Sequence, residues 1–336
     1  MGIKHLNRYL RNNCPESIRP IRMADLHGKL IAVDISIYLY KFEADGTLLE
    51  NMYTMLSIFY YYNIVPIFIF DGKPPPEKKA LIKKRKENRE EAQKEYNELK
   101  EQIKTVKDED DRLEMVQTMD QLKKQIVQMN KDKIETVKNL IRAYGATYYD
   151  APGEADELCA ALVMKKKVWA CLSEDMDMFV YGATRVIRYF SLINHTGILY
   201  YTKGILDELQ LTHQEFKQIC ILSGTDYNIQ ANGYSMCNTF EKVLRLFRKW
   251  KTTATATATT ATPVIEEKTF YEWVEETTDT ITDLPLLLKI NEMFNLSKEN
   301  QTLDKFKHVR IANGPIRCEE IQEIMKADGF IFIEDE

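Results

Sequence analysis

Between Ala151 and Gly182 the sequence reads APGEADELCAALVMKKKVWACLSEDMDMFVYG and carries Glu154, Asp156, Glu157, Asp175 and Asp177 in two clusters. An apolar helix-like run and the short apolar segment VWACL separate the clusters. Carboxylates gathered beside buried segments repel one another and ionise reluctantly unless a cation neutralises them. The chemistry on offer is metal binding through oxygen donors; the plain structural alternative is that each acid caps a helix start or complements its dipole. Further aspartates at comparable places, Asp34, Asp71 and Asp226, favour the metal.

The elements that must position these acids follow from the apolar patterning. KLIAVDIS (29–36) and VPIFIFDG (65–72) are apolar runs that read as buried strands, each with an aspartate at its carboxyl end. Residues 47–63 read as a helix between them. GATYYDAP (145–152), VWACLSED (168–175) and RVIRYFS (185–191) supply further strands. The alternation predicts an α/β fold, a mostly parallel central sheet flanked by helices, whose ligand sites lie at the carboxyl ends of strands. Asp34, Asp71 and Asp175 converge there on this reading. Glu154 and Asp156 are two apart and share no helix face, so Glu154 must lie at or before the first turn. Asp175 and Asp177 pose the same problem, solved if the strand ends between them.

After Pro76 a charged stretch runs to about residue 142 without glycine or proline, with Leu113, Val116, Met119, Leu122, Ile126 and Met129 at helical spacing. A break near residues 107–111 predicts a helical hairpin that projects from the body. QEFKQICILSGTDYN (214–228) predicts an amphipathic helix that closes on Gly224 and presents Asp226, with another helix at about 237–249. KTTATATATTAT (251–262) is low in complexity and has nothing to bury, which predicts a flexible linker or disordered insertion. The regions so delimited are 1–80, 81–130 (helical arch), 131–250, 251–266 (linker) and 267–336 (C-terminal helical region).

At 336 residues with 44% apolar composition the chain can build a sizeable core. It shows no apolar run of membrane-spanning length and no secretory signal, which predicts a soluble intracellular protein with no membrane partner. Six cysteines are scattered without a Cys-x-x-Cys, so zinc and disulfides are disfavoured and buried free thiols expected. The net charge of −5 conceals a basic run, Lys73, Lys78, Lys79, Lys83, Lys84, Arg85, Lys86 and Arg89. Two readings fit it, a patch for a phosphate polymer and a solvated helix face.

Six ordered blocks, MGIKHL, IAVDISIYLYKF, PIFIFDGKPPPEKK, APGEADELCAALV, SEDMDMFVYG and CILSGTDYN, resemble the flap endonuclease family, the XPG-type structure-specific 5′-nucleases, across most of residues 1–230. The resemblance implies a PIN-like 5′-nuclease fold and a two-metal site made of Asp34, Asp71, Glu154, Asp156, Asp175, Asp177 and Asp226. All-oxygen ligands suit two Mg²⁺ ions, with Mn²⁺ as substitute. It places Lys78 and Arg85 at the base of the arch, where they steer the scissile phosphate. Tyr40 stacks on the base next to the cleaved bond, with a core tyrosine as the alternative, and Gly2, exposed once Met1 is removed, lies near the metals. The implied partner is DNA with a 5′ flap, nick or free 5′ end, met by a monomer in a DNA-containing compartment such as the nucleus or a viral replication site. The alternatives are a looser exonuclease, an RNA-cleaving nuclease, or a non-catalytic nucleic-acid-binding scaffold.

The sequence departs from the family's pattern in places. The segment between Phe42 and Met52 is short, NIQANGYSM lacks the Gly-Ile-Gly turn of the phosphate-gripping hairpin, and no sliding-clamp motif is recognisable in the tail. These departures mark a divergent member.

Overall fold

The computed structural model describes residues 3, 5–104, 109–228, 239–258, 268–281, 283–296, 306 and 308–332. By contacts the chain divides into two units, each assembled from three segments: Met1–Ile21, Asp156–Phe190 and Gly197–His308 form the first, and Arg22–Ala155, Ser191–Thr196 and Val309–Glu336 the second. The linear regions expected from composition thus interleave. Residues 267–336 in particular divide between the two units at His308.

The second unit is built on β2 (Leu30–Asp34), β3 (Val65–Phe70) and β4 (Thr147–Asp150), adjacent and parallel. In β2 and β3 every residue after the first is buried, the signature of strands covered on both faces. The register sets Asp34 opposite Ile69, so β2 delivers its aspartate beside the end of β3. The covering helices are α2 (Ser36–Ala44), α3 (Leu48–Tyr61) and α6 (Lys131–Ala143), the last capped by the Asn130 side chain, which accepts from the Lys133 N–H. Gly145 ends α6 in the left-handed region and meets Gly314 so closely that a Cβ there would lie 2.5 Å from the Gly314 carbonyl oxygen. The segment leading to the last helix, Cys318–Ala327, is tied down by this approach.

Between α3 and α6 run α4 (Lys79–Gln102) and α5 (Glu109–Ile126), which pack on each other. Of the residues of α4 only Ala92 is buried. Its Lys83–Glu87 and Lys86–Glu90 pairs, each 3.7 Å and well exposed, contribute only a few tenths of a kcal/mol apiece. The helical pair expected from sequence is therefore present, but residues 105–108, part of the expected break, lie outside the described residues.

The first unit orders its strands β1 (Ile18–Arg22), β7 (Thr196–Tyr201), β6 (Arg185–Ser191) and β5 (Ala170–Leu172), with β5 and β6 parallel. Patterning revealed neither β1 nor β7: IRPIR has one buried position, and TGILYY mixes buried, half-buried and exposed residues. The helices are α1 (Leu6–Asn13), α7 (Ala155–Met164), α8 (Asp177–Tyr181), α9 (Thr202–Leu209), α10 (His213–Ser223), α11 (Phe240–Ala258), α12 (Phe270–Thr277) and α13 (Leu284–Met293). Capping boxes start two of them, Thr212 with Glu215 and Thr269 with Glu272.

One sequence expectation is revised here. The helix α11 continues through Ala258, so the first part of the Thr/Ala tract is helical rather than a linker, and residues 259–266 lie outside the described residues. Threonine and alanine in alternation carry no turn-forming residue, and a helix already nucleated extends into them at little cost. Among the described residues no helix is long and apolar enough to cross a membrane, and Cys14, Cys159, Cys171, Cys220 and Cys318 are free. Four are buried as expected, while Cys318 is exposed; burial pushes the Cys14 thiol up to about 12.

Candidate metal centre

In the second unit Asp34 and Asp71 lie at the carboxyl ends of the adjacent strands β2 and β3. Asp34 closes β2 and is 5% exposed. Asp71 follows β3 and is exposed, but its carboxylate is held on both oxygens: the Ser36 hydroxyl donates to Oδ2, and the Ala155 N–H donates to Oδ1 at 2.8 Å. One aspartate therefore links the start of α2 and the first residue of α7. Gly72 makes the crossing possible: its N–H donates to the Gly153 carbonyl at 2.7 Å, and a Cβ would lie 2.0 Å from the Ala151 carbonyl oxygen. Any larger residue would push Asp71 off this turn.

Glu154 lies immediately before α7, as the two-residue spacing required. Lys78 Nζ donates to Glu154 Oε1 at 2.6 Å, with both side chains largely covered. Two residues predicted for separate roles are thus in direct contact. Lys78 ends a short 3₁₀ turn, Pro76–Lys78, and α4 begins one residue later. Arg85 lies on α4 and is exposed. Tyr40 is 47% exposed, which removes the core-tyrosine alternative; Tyr38, 2% exposed, takes the core position.

Behind Asp71 the strand ends are braced by Lys138. It reaches Asp150 at 2.8 Å and Glu135 at 3.3 Å, and its ammonium lies 5.0 Å from the centroid of the Phe70 ring. Burial pulls this ammonium toward neutrality, but the two carboxylates more than offset it and its pKa is raised.

In the first unit Asp156, Asp175 and Asp177 are buried, as Asp34 is in the second. Asp156, in the first turn of α7, is 8% exposed, Asp175 is 9% and Asp177 is 1%. β5 stops at Leu172, earlier than the expected break between Asp175 and Asp177, so both aspartates lie beyond the strand. The Ser173 hydroxyl accepts from the Asp175 N–H at 3.1 Å, and Asp175 Oδ1 accepts from the Asp177 N–H at 2.9 Å, which starts α8. Tyr181 lies close enough to feel both Asp156 and Asp177. Its hydroxyl is pushed well up by burial, then by Asp156, by Tyr227 and by Asp177. Cys220 on α10 is likewise raised by burial and by Asp177.

Asp226 sits half-buried on the turn that follows α10. Asn228, fully buried, builds that turn: its Oδ1 accepts from the Thr225 N–H, and its Nδ2 donates to the Ile221 carbonyl at 2.8 Å. Ser36, Ser173, Thr225 and Asn228 were not singled out by sequence reasoning. Their only signal was proximity to an aspartate, in VDIS, SED and GTDYN.

All seven acids offer oxygen donors. That donor chemistry fits a hard divalent cation such as Mg²⁺ or Mn²⁺. Among the described residues no three His, Cys, Asp or Glu side chains come together as a ready metal cluster. Gly2 and the degenerate hairpin NIQANGYSM (228–236), apart from its first residue Asn228, lie outside the described residues. A cavity of about 1060 Å³ in the second unit is lined by residues such as Tyr53, Tyr60, Tyr61, Tyr144 and His195 and by no carboxylate, so it is not the metal centre.

The sequence model of the XPG N-terminal domain matches residues 1–92, and that of the XPG I-region matches residues 145–226. All seven carboxylates fall inside the two matches. The chain is 33% identical over 245 residues to flap endonuclease 1 of Nematostella vectensis, covering 68% of this chain and 62% of the relative. It is 31% identical over 271 residues to that of Aedes aegypti, covering 75% and 67%. The chain thus spans about 62% of the length of most of these curated relatives. In fold it is similar to the catalytic core of Rad2 in complex with DNA substrate, with a TM-score of 0.64 at 20% identity over 97% of this chain and 94% of the other. Flap endonuclease-1 from Methanococcus jannaschii gives 0.61 at 20% identity over 93% and 90%. The expected architecture, a mixed and mostly parallel sheet flanked by helices, is that of these PIN-like 5′-nucleases. By its two matched domains and its relatives, this chain belongs to the XPG-type flap endonuclease family.

Proposed function

We propose that the chain is a metal-dependent 5′-nuclease that hydrolyses phosphodiester bonds in flap, branched or nicked DNA. The observation that carries the reading is the fixed orientation of acids at strand ends within both matched family regions, above all Asp71, held on each oxygen by a separate element. In this reading Asp34, Asp71, Glu154, Asp156, Asp175, Asp177 and Asp226 hold two Mg²⁺ ions. Such ions supply charge neutralisation at the phosphate and an acidified water as nucleophile.

The chain's own residues do the rest. Ser36 and the Ala155 N–H keep Asp71 from rotating, and Ser173 with Asp175 fixes the turn into α8. Lys78 neutralises Glu154 when no phosphate is present, and its ammonium is then already at the site when a phosphate arrives. Arg85, exposed one helix further on, adds a second cation, so that positive charge is preorganised where negative charge develops. Tyr40 presents an exposed ring on which an unpaired base stacks.

The deciding experiment incubates the protein with Mg²⁺ and end-labelled flap, nicked duplex, single-stranded DNA and RNA, and sizes the products. The expected result is incision near the 5′ branch point, abolished by EDTA and restored by Mg²⁺ or Mn²⁺. Binding without cleavage of any substrate would sink the reading in favour of a scaffold.

A further inference from the structure

At the opposite end of β5 from Asp175 the first unit carries a second concentration of charge. Lys165, Lys166 and Lys167 are consecutive and exposed, in the turn between α7 and β5. Trp169 follows, half-buried, immediately before the strand. Arg185 opens β6, which pairs in parallel with β5, and Tyr201 closes the neighbouring β7. The Arg185 guanidinium carbon lies 5.1 Å from the centroid of the Trp169 ring and 5.9 Å from that of Tyr201. Its Nη1 donates to the Trp169 carbonyl at 3.5 Å. Lys203, two residues past Tyr201, adds a fifth exposed or half-exposed cation.

Several cations elsewhere in the chain are paired with acids. Lys83 and Lys86 on α4, Lys124, Lys133 and Lys268 each face a carboxylate. Lys165, Lys166, Lys167, Arg185 and Lys203 form no ion pair among the described residues. In a chain of net charge −5, five neighbouring cations that form no ion pair create a local positive field. Arg185 lies within cation–π reach of two rings, which restricts its motion, so it loses little entropy on meeting a phosphate.

We propose that this surface, Lys165–Lys167 with Trp169, Arg185, Tyr201 and Lys203, binds single-stranded nucleic acid apart from the metal centre. Cations that track a backbone, set among aromatic rings on which bases stack, are the two components of sequence-tolerant single-strand binding. Duplex DNA would use the charges but not the rings. An acidic protein would use the charges as well, yet it gains nothing specific from an arginine within cation–π reach of Trp169 and Tyr201. The inference rests on the nuclease reading only in choosing nucleic acid among polyanions.

The test is fluorescence anisotropy with a labelled oligothymidylate in EDTA, across a series of salt concentrations, on the full chain. Because no cleavage is involved, its outcome is independent of whether the wild-type protein cuts flaps in Mg²⁺. The triple variant Lys165→Ala, Lys166→Ala, Lys167→Ala should weaken binding and lower the slope of log affinity against log salt by about 2, at about 0.7 per lost phosphate contact. The charge-matched control Lys268→Ala, Lys289→Ala, Lys326→Ala should leave that slope unchanged. Trp169→Phe keeps a ring and should bind as the wild type while losing the quenching of tryptophan fluorescence. Trp169→Ala should bind about tenfold more weakly, as when one base loses its platform. An unchanged slope in the first triple variant, quenching that persists in Trp169→Phe, or equal competition by polyglutamate at matched charge overturns the proposal.

Discussion

In the second unit Asp71 is open to water and Glu154 partly so, and each is aimed by a named partner: Ser36 and the Ala155 N–H for one, Lys78 for the other. In the first unit Asp156, Asp175 and Asp177 are almost out of water, and Asp156 and Asp177 both push the buried Tyr181 hydroxyl up. The first arrangement fixes direction with bonds that can be removed one at a time. The second concentrates negative charge where solvation is poor, which raises the demand for a cation and makes the bare site electrostatically unfavourable. The two sets should therefore answer differently to mutation.

The largest effect is expected at Asp177. Asp177→Asn should slow cleavage by about 10³-fold, the upper range for a lost preorganised charge contact. It also removes a buried like charge, so the variant should melt no lower than the wild type in metal-free buffer. Normal cleavage rates, or a large fall in Tm, would show that this aspartate is a structural group. Next comes the pair Lys78→Ala, Arg85→Ala, expected to slow single-turnover cleavage about 10²-fold at saturating DNA. Lys79→Ala, on exposed α4 beside them, should mainly soften salt dependence. If Lys79→Ala matched the double variant, the basic run would be only a solvated face.

A smaller effect tests the directional bonds of the second unit. Ser36→Ala leaves Asp71 with the Ala155 N–H alone, and should raise the Mg²⁺ concentration for half-maximal cleavage about 10- to 100-fold, as for lost outer-shell support. Titration of the rate with Mg²⁺ reads this directly; an unchanged requirement would make the Ser36 bond incidental.

The smallest effect concerns His213, which braces α8 in the first unit. Its Nε2 lies 3.1 Å from the Phe179 carbonyl, and its ring fills the space beside Gly182. Burial holds its pKa below the ordinary imidazole value, and nearby Lys217 acts in the same direction. A lowered folded-state pKa means that the unfolded chain binds the proton more tightly. This contribution to stability is therefore complete above about pH 6.5, declines as pH falls, and is gone below the folded-state pKa. His213→Gln should flatten the fall of Tm between about pH 7 and pH 5. A slope identical to the wild type would place the acid sensitivity elsewhere.

Much of this was legible in the chain because the relevant signals are local. LIAVD and VPIFIF announce buried strands by composition, and an aspartate at each carboxyl end announces a site, since both facts depend on neighbours in sequence. The placement of Glu154 before α7 followed from helix geometry alone. By contrast β1 and β7 carry no clean alternation, and the Thr/Ala tract lacks the periodicity that would reveal its helical first part.

What the sequence determined by itself is the family, carried by six ordered motifs, and the position of the main strands along the chain, carried by their apolar runs; the set of seven acids is what the family resemblance implies. Tertiary structure alone decided that Lys78 bonds Glu154, that Ser36 holds Asp71, that Asn228 builds the Asp226 turn, and that Arg185 lies within cation–π reach of Trp169 and Tyr201. Each of these joins residues whose encounter depends on strand register, helix start or chain reversal. Those are settled by the packing of the whole core, and no short window of sequence contains them.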